Sequence, residues 1–366
     1  MSFSKKLLSA FPVPKFLTMP AVGLDISDHS VKFVEFEGVG VHRHIKRFGT
    51  KEIPEGVIVG GTIARRDELI ATLASLREEH NIHFVRASLP EEPAYIFTTY
   101  VPNVGDDEVR SLLKFKLEES VPIAPAEAVI DFDVSDTAQQ EADGERLVTV
   151  SVFPEKLAQD YVDLLNAAGL EALSLEIEAQ AIARAVVPNM FKDTCMVVDV
   201  GRTRSGISIV SDSVVRFTTT VEIGGDGLTA AIEKEMRDAS SEDIVALKNT
   251  QGLRYGENQV IKTAFMNFAR SLRNEIERYY IYWQTHLQAK ESKYMKYPNI
   301  TNIYLCGGHA NVAGLDEFLA HELFLNVVRA DVWTNVLDVE KDVPPISRPE
   351  SLGYASAIGL ALHEGE

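Results

Sequence analysis

A strand carrying one aspartate, a turn of small and polar residues and a second strand occur twice in this chain, and that repetition limits the fold more than any other feature. The later copy, residues 196–210, reads MVVDVGRTRSGISIV. Met196, Val197, Val198 and Val200 surround Asp199, the stretch from Gly201 to Gly206 is a tight turn, and an apolar run from Ile207 leads away. The segment is too short for a helix and predicts a buried hairpin. A carboxylate inside an apolar strand is costly unless a cation or hydrogen-bond donors meet it. Asp199 is therefore expected to face a cleft that holds a metal, with the turn's N–H groups beside it to receive phosphate oxygens. The earlier copy, residues 21–36, reads AVGLDISDHSVKFVEF, with Asp25 in the strand and Ser27, Asp28 and Ser30 in the turn. Two copies about 170 residues apart imply two related half-domains.

At 366 residues the chain exceeds a single core, and 45% hydrophobic residues are ample for two lobes or four subdomains. The net charge of −18 argues against a general nucleic-acid surface. Cys195 and Cys306 each adjoin an apolar strand and are expected as small core residues of a reducing compartment. Residues 1–20 carry three lysines and no acid, and Pro12, Pro14 and Pro20 interrupt any helix. They are expected as a flexible tail; a weak contact with anionic lipid through Phe3, Leu7, Leu8, Phe11 and the lysines is the alternative. The segment lacks a secretory signal pattern, and no apolar run is long enough to span a membrane.

Along the chain, residues 39–48 predict a strand with His42 and His44 on one face, where Arg43, Lys46 and Arg47 disfavour a metal and favour an exposed basic face. Residues 67–80 predict an amphipathic helix on Leu69, Leu73 and Leu76, and 84–89 a strand. From 90 to 154 the pattern becomes a small α+β unit: a helix over 106–120 opened by three acids, and strands at 129–134 and 147–153 around a polar loop with Asp143-Gly144. Helices are expected over 157–168, stopped by Gly169, and over 176–187, stopped by Pro188. In the second, Glu178 precedes a small-residue face, either as a solvated helix-start acid or as the group that positions an attacking water. Gly224 and Gly225 open a helix to about 236. Neither a P-loop nor a GxGxxG motif is present. A long helix follows over 259–289; its stripe from Ile261 to Leu287 steps by about 3.7 residues, so it is a packed helix and not a coiled coil. Residues 303–308 form a strand ending in Gly307-Gly308, where a flat base can lie against backbone and a plain connection is the alternative, followed by a helix over 313–325. Pro344, Pro345 and Pro349 mark a loop, and 354–363 a closing helix rich in small residues.

Five segments, 23–32, 178–185, 197–206, 303–314 and 354–362, stand in the order of the phosphate 1, connect 1, phosphate 2, adenosine and connect 2 motifs, and the chain resembles the actin-like ATPase superfamily from about residue 21 to its end. Within it, the inserted unit, the FKLEESVPI segment, the GGDGLT helix start and the NEIERYYIYW helix are similar to the PilM family of type IV pilus assembly proteins, relatives of the cell-division protein FtsA. The resemblance implies an α/β, actin-like (ribonuclease H-like) duplicated two-lobe ATPase fold with an inserted small α+β subdomain. It implies a tail (1–20), a first lobe (21–89 and 155–190) split by the insertion (90–154), a second lobe (191–223 and 299–352) split by a further subdomain (224–298), and a last helix (353–366) returning to the first lobe.

It further implies ATP and Mg²⁺ between the lobes. Asp25 and Asp199 would hold Mg²⁺ through water; Ser27, Ser30, Lys32, Gly201, Thr203 and Gly206 would meet phosphates; Gly224 and Gly225 would underlie phosphate or ribose; Gly307, Gly308 and Asn311 would meet adenosine; Glu178 would be the catalytic group. Ser27 stands where the superfamily has Gly, and Asp28 adds a negative charge to a phosphate turn, so slow turnover is expected. The implied setting is a cytoplasmic scaffold, peripheral at the inner membrane, that grips the N-terminal cytoplasmic tail of a PilN-like membrane protein. Contact with pilus motor ATPases and a homo-oligomer or ring stay open, as do an FtsA-like division protein and a small-molecule kinase. The absence of a terminal amphipathic helix weighs against the FtsA-like alternative.

Overall fold

The computed structural model describes residues 21–38, 43–134, 144–287, 299–337 and 343–363. In chain order the elements are β1 (Val22–Ile26), β2 (Ser30–Glu37), β3 (His44–Glu52), the short pair β4 (Ile58–Val59) and β5 (Thr62–Ile63), α1 (Arg66–His80), β6 (Phe84–Leu89), β7 (Tyr95–Pro102), α2 (Asp106–Ser120), β8 (Ala128–Val134), β9 (Glu145–Pro154), α3 (Glu155–Ala167), β10 (Glu171–Ile177) and α4 (Glu178–Val186). There follow β11 (Thr194–Val200), β12 (Ser205–Ser211), β13 (Val214–Val221), α5 (Gly225–Glu235), α6 (Ser241–Thr250), α7 (Gln259–Tyr282), β14 (Ile300–Cys306), α8 (Leu315–Leu323), β15 (Asn326–Arg329), α9 (Arg348–Ser351) and α10 (Ala355–Leu362).

The duplication seen in the sequence is a duplication of topology. One five-stranded sheet has the order β10-β6-β1-β2-β3 and the other β13-β12-β11-β14-β15. In each, the aspartate strand pairs antiparallel with the strand after its turn and parallel with a later strand, β6 or β14. Each aspartate strand is central in its sheet and buried on both faces, which is why β1 and β11 read as near-continuous apolar runs interrupted by one acid.

The inserted unit has its own sheet, β7-β9-β8, covered by α2. Alternation along β9 divides its side chains between two cores: Leu147 and Phe153 join the main core, while Val148, Val150 and Val152 pack with Val109, Leu113 and Leu117 of α2. Residues 90–92 connect β6 to this unit. Beneath the lobes α4 crosses α10 so closely that a Cβ on Gly359 would collide with the Ala181 carbonyl, and a Cβ on Gly23 would collide with that of Ala357. The small-residue stripe of the last helix is thus a requirement of backbone approach.

Several boundaries differ from expectation. The helix expected from 176 begins at Glu178, because Glu171–Ile177 pairs parallel with β6 as β10. The helix expected over 313–325 runs only Leu315–Leu323, between Gly314 and Phe324 in left-handed conformation. The long helix ends at Tyr282 and continues as one π-turn, Trp283–Leu287; 288 and 289 lie outside the described residues. The strand expected over 39–48 is His44–Glu52, with His44 exposed and 3.7 Å from Glu37, while His42 lies outside the described residues. The tail 1–20 and residues 135–143 also lie outside them. Cys195 and Cys306 are buried free thiols.

Candidate functional site

The ends of β1 and β11 bring the two turns face to face across a cleft of about 440 Å³. It is lined by Asp25, Ser27, Ser30, Lys32 and Glu178 of the first lobe and by Asp199, Gly201, Thr203, Gly206, Gly307 and Gly308 of the second. The site therefore lies beyond the carboxyl ends of parallel strands, where α/β sheets leave a crevice between diverging connections.

Charge is the dominant property of this cleft. Eight carboxylates line it, Asp25, Asp28, Glu52, Glu91, Glu92, Glu178, Asp199 and Glu350, against three permanent cations, Lys32, Arg202 and Arg204. Burial pushes the Asp25 carboxyl up, opposed by the Lys32 charge and the Ser88 hydroxyl, which donates to Asp25 Oδ1 at 3.2 Å. Asp199 is pushed up to about 6 by burial and by the charge of Asp25, again opposed by Lys32. Glu91 is pushed up to about 8, chiefly by burial, with Asp199 and Glu92 adding to it and a hydrogen bond from Thr218 opposing it. Glu178 is raised well above the carboxylate range by burial and by Asp25, Asp199, Glu91 and Glu92. Four acids are thus held toward their neutral forms, first by burial and then by a scarcity of opposite charge. A divalent cation here would relieve all four.

Whether the residues fit Mg²⁺ can be judged from the donor set. Hard carboxylate oxygens from both lobes suit that ion. Among the described residues no three His, Cys, Asp or Glu side chains come together as a ready cage. The fit is therefore to an ion that keeps most of its water and takes further oxygens from a ligand, the usual habit of Mg²⁺ in nucleotide sites. Several polar atoms of the lining, Thr220 Oγ1 and His309 Nδ1 among them, are buried without a hydrogen-bond partner, as expected of a surface that a polar ligand completes. Burial, with the nearby Lys248 charge, pushes His309 down to about 4, so its imidazole is neutral.

Glycines mark the closest approaches. Gly307, at φ +87°, leaves no room for a Cβ beside Asp199 Oδ1 and the Val200 backbone. Cys306, its neighbour, places its thiol 3.8 Å from Asp199 Oδ1. Gly225 lies flat against the His309 ring, where any Cβ would overlap it.

Nine of the eleven residues expected to meet nucleotide reach or adjoin the lining; two do not do what was expected of them. Gly224 does not line the cleft and instead lies under the backbone of Arg202 and Thr203, supporting the 201–206 turn from below. Gly225 touches the lining only through His309. Asn311 is buried outside the cleft and donates from Nδ2 to the Pro349 carbonyl at 2.6 Å, tying the β14 connection to the proline loop. Asp28 also needs correction: its charge does not confront a phosphate freely. It pairs with Arg204 at 2.7 Å and accepts from the N–H groups of Gly60 and Gly61, both at 3.2 Å. The sequence reading missed Glu91, Glu92, Arg202, Arg204 and His309. Pro90-Glu91-Glu92 directly after a parallel strand was the available signal, since that strand's carboxyl end opens on the crevice.

Comparison with known proteins shows the family and the fold in which this cleft lies. A family model described as type IV pilus assembly protein PilM matches residues 23–365. The chain belongs to the PilM family. Among solved structures it is similar to a PilM–PilN type IV pilus biogenesis complex, with a TM-score of 0.72 at 20% identity over 94% of this chain and 98% of that one. It is also similar to MreB5 of Spiroplasma citri bound to ADP, with a TM-score of 0.51 at 13% identity over 87% of this chain and 94% of that one. The fold is therefore the actin-like one, in a PilM-family protein with two lobes and an inserted α+β unit. Among its described residues no helix is long and apolar enough to cross a membrane.

Proposed function

We propose that this PilM-family protein is an ATP-binding scaffold of the type IV pilus assembly platform, peripheral at the inner membrane, which grips the cytoplasmic N-terminal tail of a PilN-like protein. The observation that carries the nucleotide half of this reading is the placement of Asp25 and Asp199, one from each lobe, in a cleft where acids outnumber cations and Lys32 has no ion-pair partner among the described residues. An anionic polyphosphate enters such a cleft only with a cation that cancels the carboxylates, so binding is expected to require Mg²⁺. Ser27, Ser30, Gly201, Thr203 and Gly206 lie where its phosphates would be held, and Glu178 where an attacking water would be positioned.

The partner half rests on the inserted unit. Its sheet ends at β8, an edge strand whose Val129, Asp131 and Asp133 are exposed. An extended tail gains backbone hydrogen bonds along such an edge, or in the groove against the first lobe, without a large interface. Residues 90–154 carry fourteen acids against four bases, which favours a basic tail.

Thermal melting with and without Mg-ATP tests the nucleotide site. At 100 times the dissociation constant the stabilisation is about 2.7 kcal/mol, and Asp199→Asn removes most of it. Equal stabilisation of wild type and variant, with calorimetry still showing binding to wild type, would overturn the assignment of Asp199.

A further inference from the structure

The arginine of the second-lobe phosphate turn is already occupied by the other lobe. Arg204 sits between β11 and β12, yet one Nη pairs with Asp28 Oδ2 of the first-lobe turn at 2.7 Å and the other with Glu92. Asp28 in turn accepts from Gly60 and Gly61, two successive left-handed glycines at φ +61° and +71° whose N–H groups converge on one carboxylate. Successive N–H groups in such turns, together with a guanidinium, are what proteins use to bind oxyanions. Here the oxyanion is supplied by the chain itself.

The same turn grips the root of the inserted unit at a second point. A Cβ on Gly206 would lie 2.6 Å from Glu91 Oε2, so the carboxyl rests directly on the turn, and its other oxygen meets the Thr218 hydroxyl of β13. Gly61 packs against Pro90 and Glu92 from the first-lobe side. Tyr161 of α3 donates to the Gly61 carbonyl at 3.0 Å and holds that loop in place. Residues 90–92, through which the chain enters the inserted unit, are therefore clasped between the second-lobe turn and the Gly60–Gly61 loop.

We infer that Arg204 is a lobe-to-lobe clamp that holds the root of the inserted unit against the second phosphate turn, and that a phosphate-bearing ligand in the cleft competes with Asp28 and Glu92 for it. Its pairs are partly shielded: Arg204 is 25% exposed, Asp28 16% and Glu92 28%. They are thus screened less than fully exposed pairs. When a phosphate oxygen draws the guanidinium into the cleft, the two acids lose their shared cation and repel each other, and the root is released. Occupancy of the cleft is reported to the inserted unit by a switch of one side chain between two sets of oxyanions. Arg202 has no such role, because it pairs with Asp226 of its own lobe at 3.2 Å. The competition rests on the nucleotide reading above; the clamp in the ligand-free protein does not.

Hydrogen exchange followed by mass spectrometry on the full chain separates the two. Without ligand, Arg204→Gln and, independently, Glu92→Gln should raise exchange in peptides covering 57–65 and 90–97 at least tenfold over wild type, while Arg202→Gln leaves both peptides near wild type. Unchanged exchange in both clamp variants would overturn the clamp. With Mg-ATP at a concentration shown by calorimetry to saturate wild type, the same two peptides should lose protection in wild type and show no further loss in Arg204→Gln. Gain or constancy of protection in wild type would overturn the competition. If calorimetry shows no binding, the nucleotide reading fails and the ligand-free comparison alone decides the clamp.

Discussion

Glu91 offers a test of the acidic cleft that needs no ligand. Its side chain is 7% exposed and its carboxyl is pushed from an ordinary 4.5 up to about 8. An acid whose folded value lies above its unfolded value binds more protons when folded, so it destabilises the fold progressively as pH rises from the unfolded value to the folded one. At pH 7 the chain has passed about 2.5 of those units, which at 1.36 kcal/mol each amounts to about 3 kcal/mol, rising to about 4 kcal/mol at pH 8. Glu91→Gln keeps an acceptor for the Thr218 hydroxyl and removes the ionisation. The variant is therefore expected to be more stable than wild type by an amount near zero at pH 4.5 that grows to a few kcal/mol at pH 8. Urea midpoints of both proteins, measured with EDTA at half-unit steps between these limits, give that difference directly. A constant offset across the range, or a variant less stable at pH 8, would refute the view that uncompensated burial among Asp199 and Glu92 sets the state of Glu91. Mg²⁺ with nucleotide should shrink the difference, because a cation in the cleft favours the charged form.

Glu178→Gln should leave Mg-ATP affinity within about threefold of wild type and abolish steady-state turnover; turnover of the purified wild type within 1–10³ s⁻¹ would show that the protein is an ordinary catalyst and not a slow one. Asn311→Ala should cost about 1–3 kcal/mol through the unsatisfied Pro349 carbonyl while leaving nucleotide affinity unchanged, and a loss of affinity at full folding would return Asn311 to the base site. Gly359→Ala forces a Cβ into the Ala181 carbonyl, so α4 and α10 must separate; a melting temperature equal to wild type would show that the crossing is looser than described. A PilN-type tail peptide should cross-link to residues 90–154 or the adjoining first-lobe surface, and cross-links confined to 224–298 would exclude that placement.

The sequence by itself determined the two-lobed, duplicated architecture and the two aspartates that face each other. Both follow from local rules: a strand–Asp–turn–strand unit is recognisable within fifteen residues, and its recurrence needs no knowledge of the fold. The inserted unit was legible as a change in pattern, and Lys32 as a cation one turn from Asp25. Strands such as β7 and β10 were not legible, because each is stabilised by a partner far away in sequence; β13 and β15 pair with the nearer β12 and β14, but their own residues do not alternate cleanly. The roles of charged residues were decided by tertiary structure alone. Asp28 reads as an obstacle to phosphate until Arg204, 176 residues later, is seen to hold it. Glu91 and Glu92 went unread in the sequence, and only the second lobe, which buries one and pairs the other, gives them a role. Gly224 and Asn311 have the residue types of a nucleotide site, yet packing turns one beneath the 201–206 turn and the other toward the proline loop. Electrostatic energy depends on distance and burial, neither of which a linear order contains, so strands and turns can be read from a sequence while the state and partner of each charge await the fold.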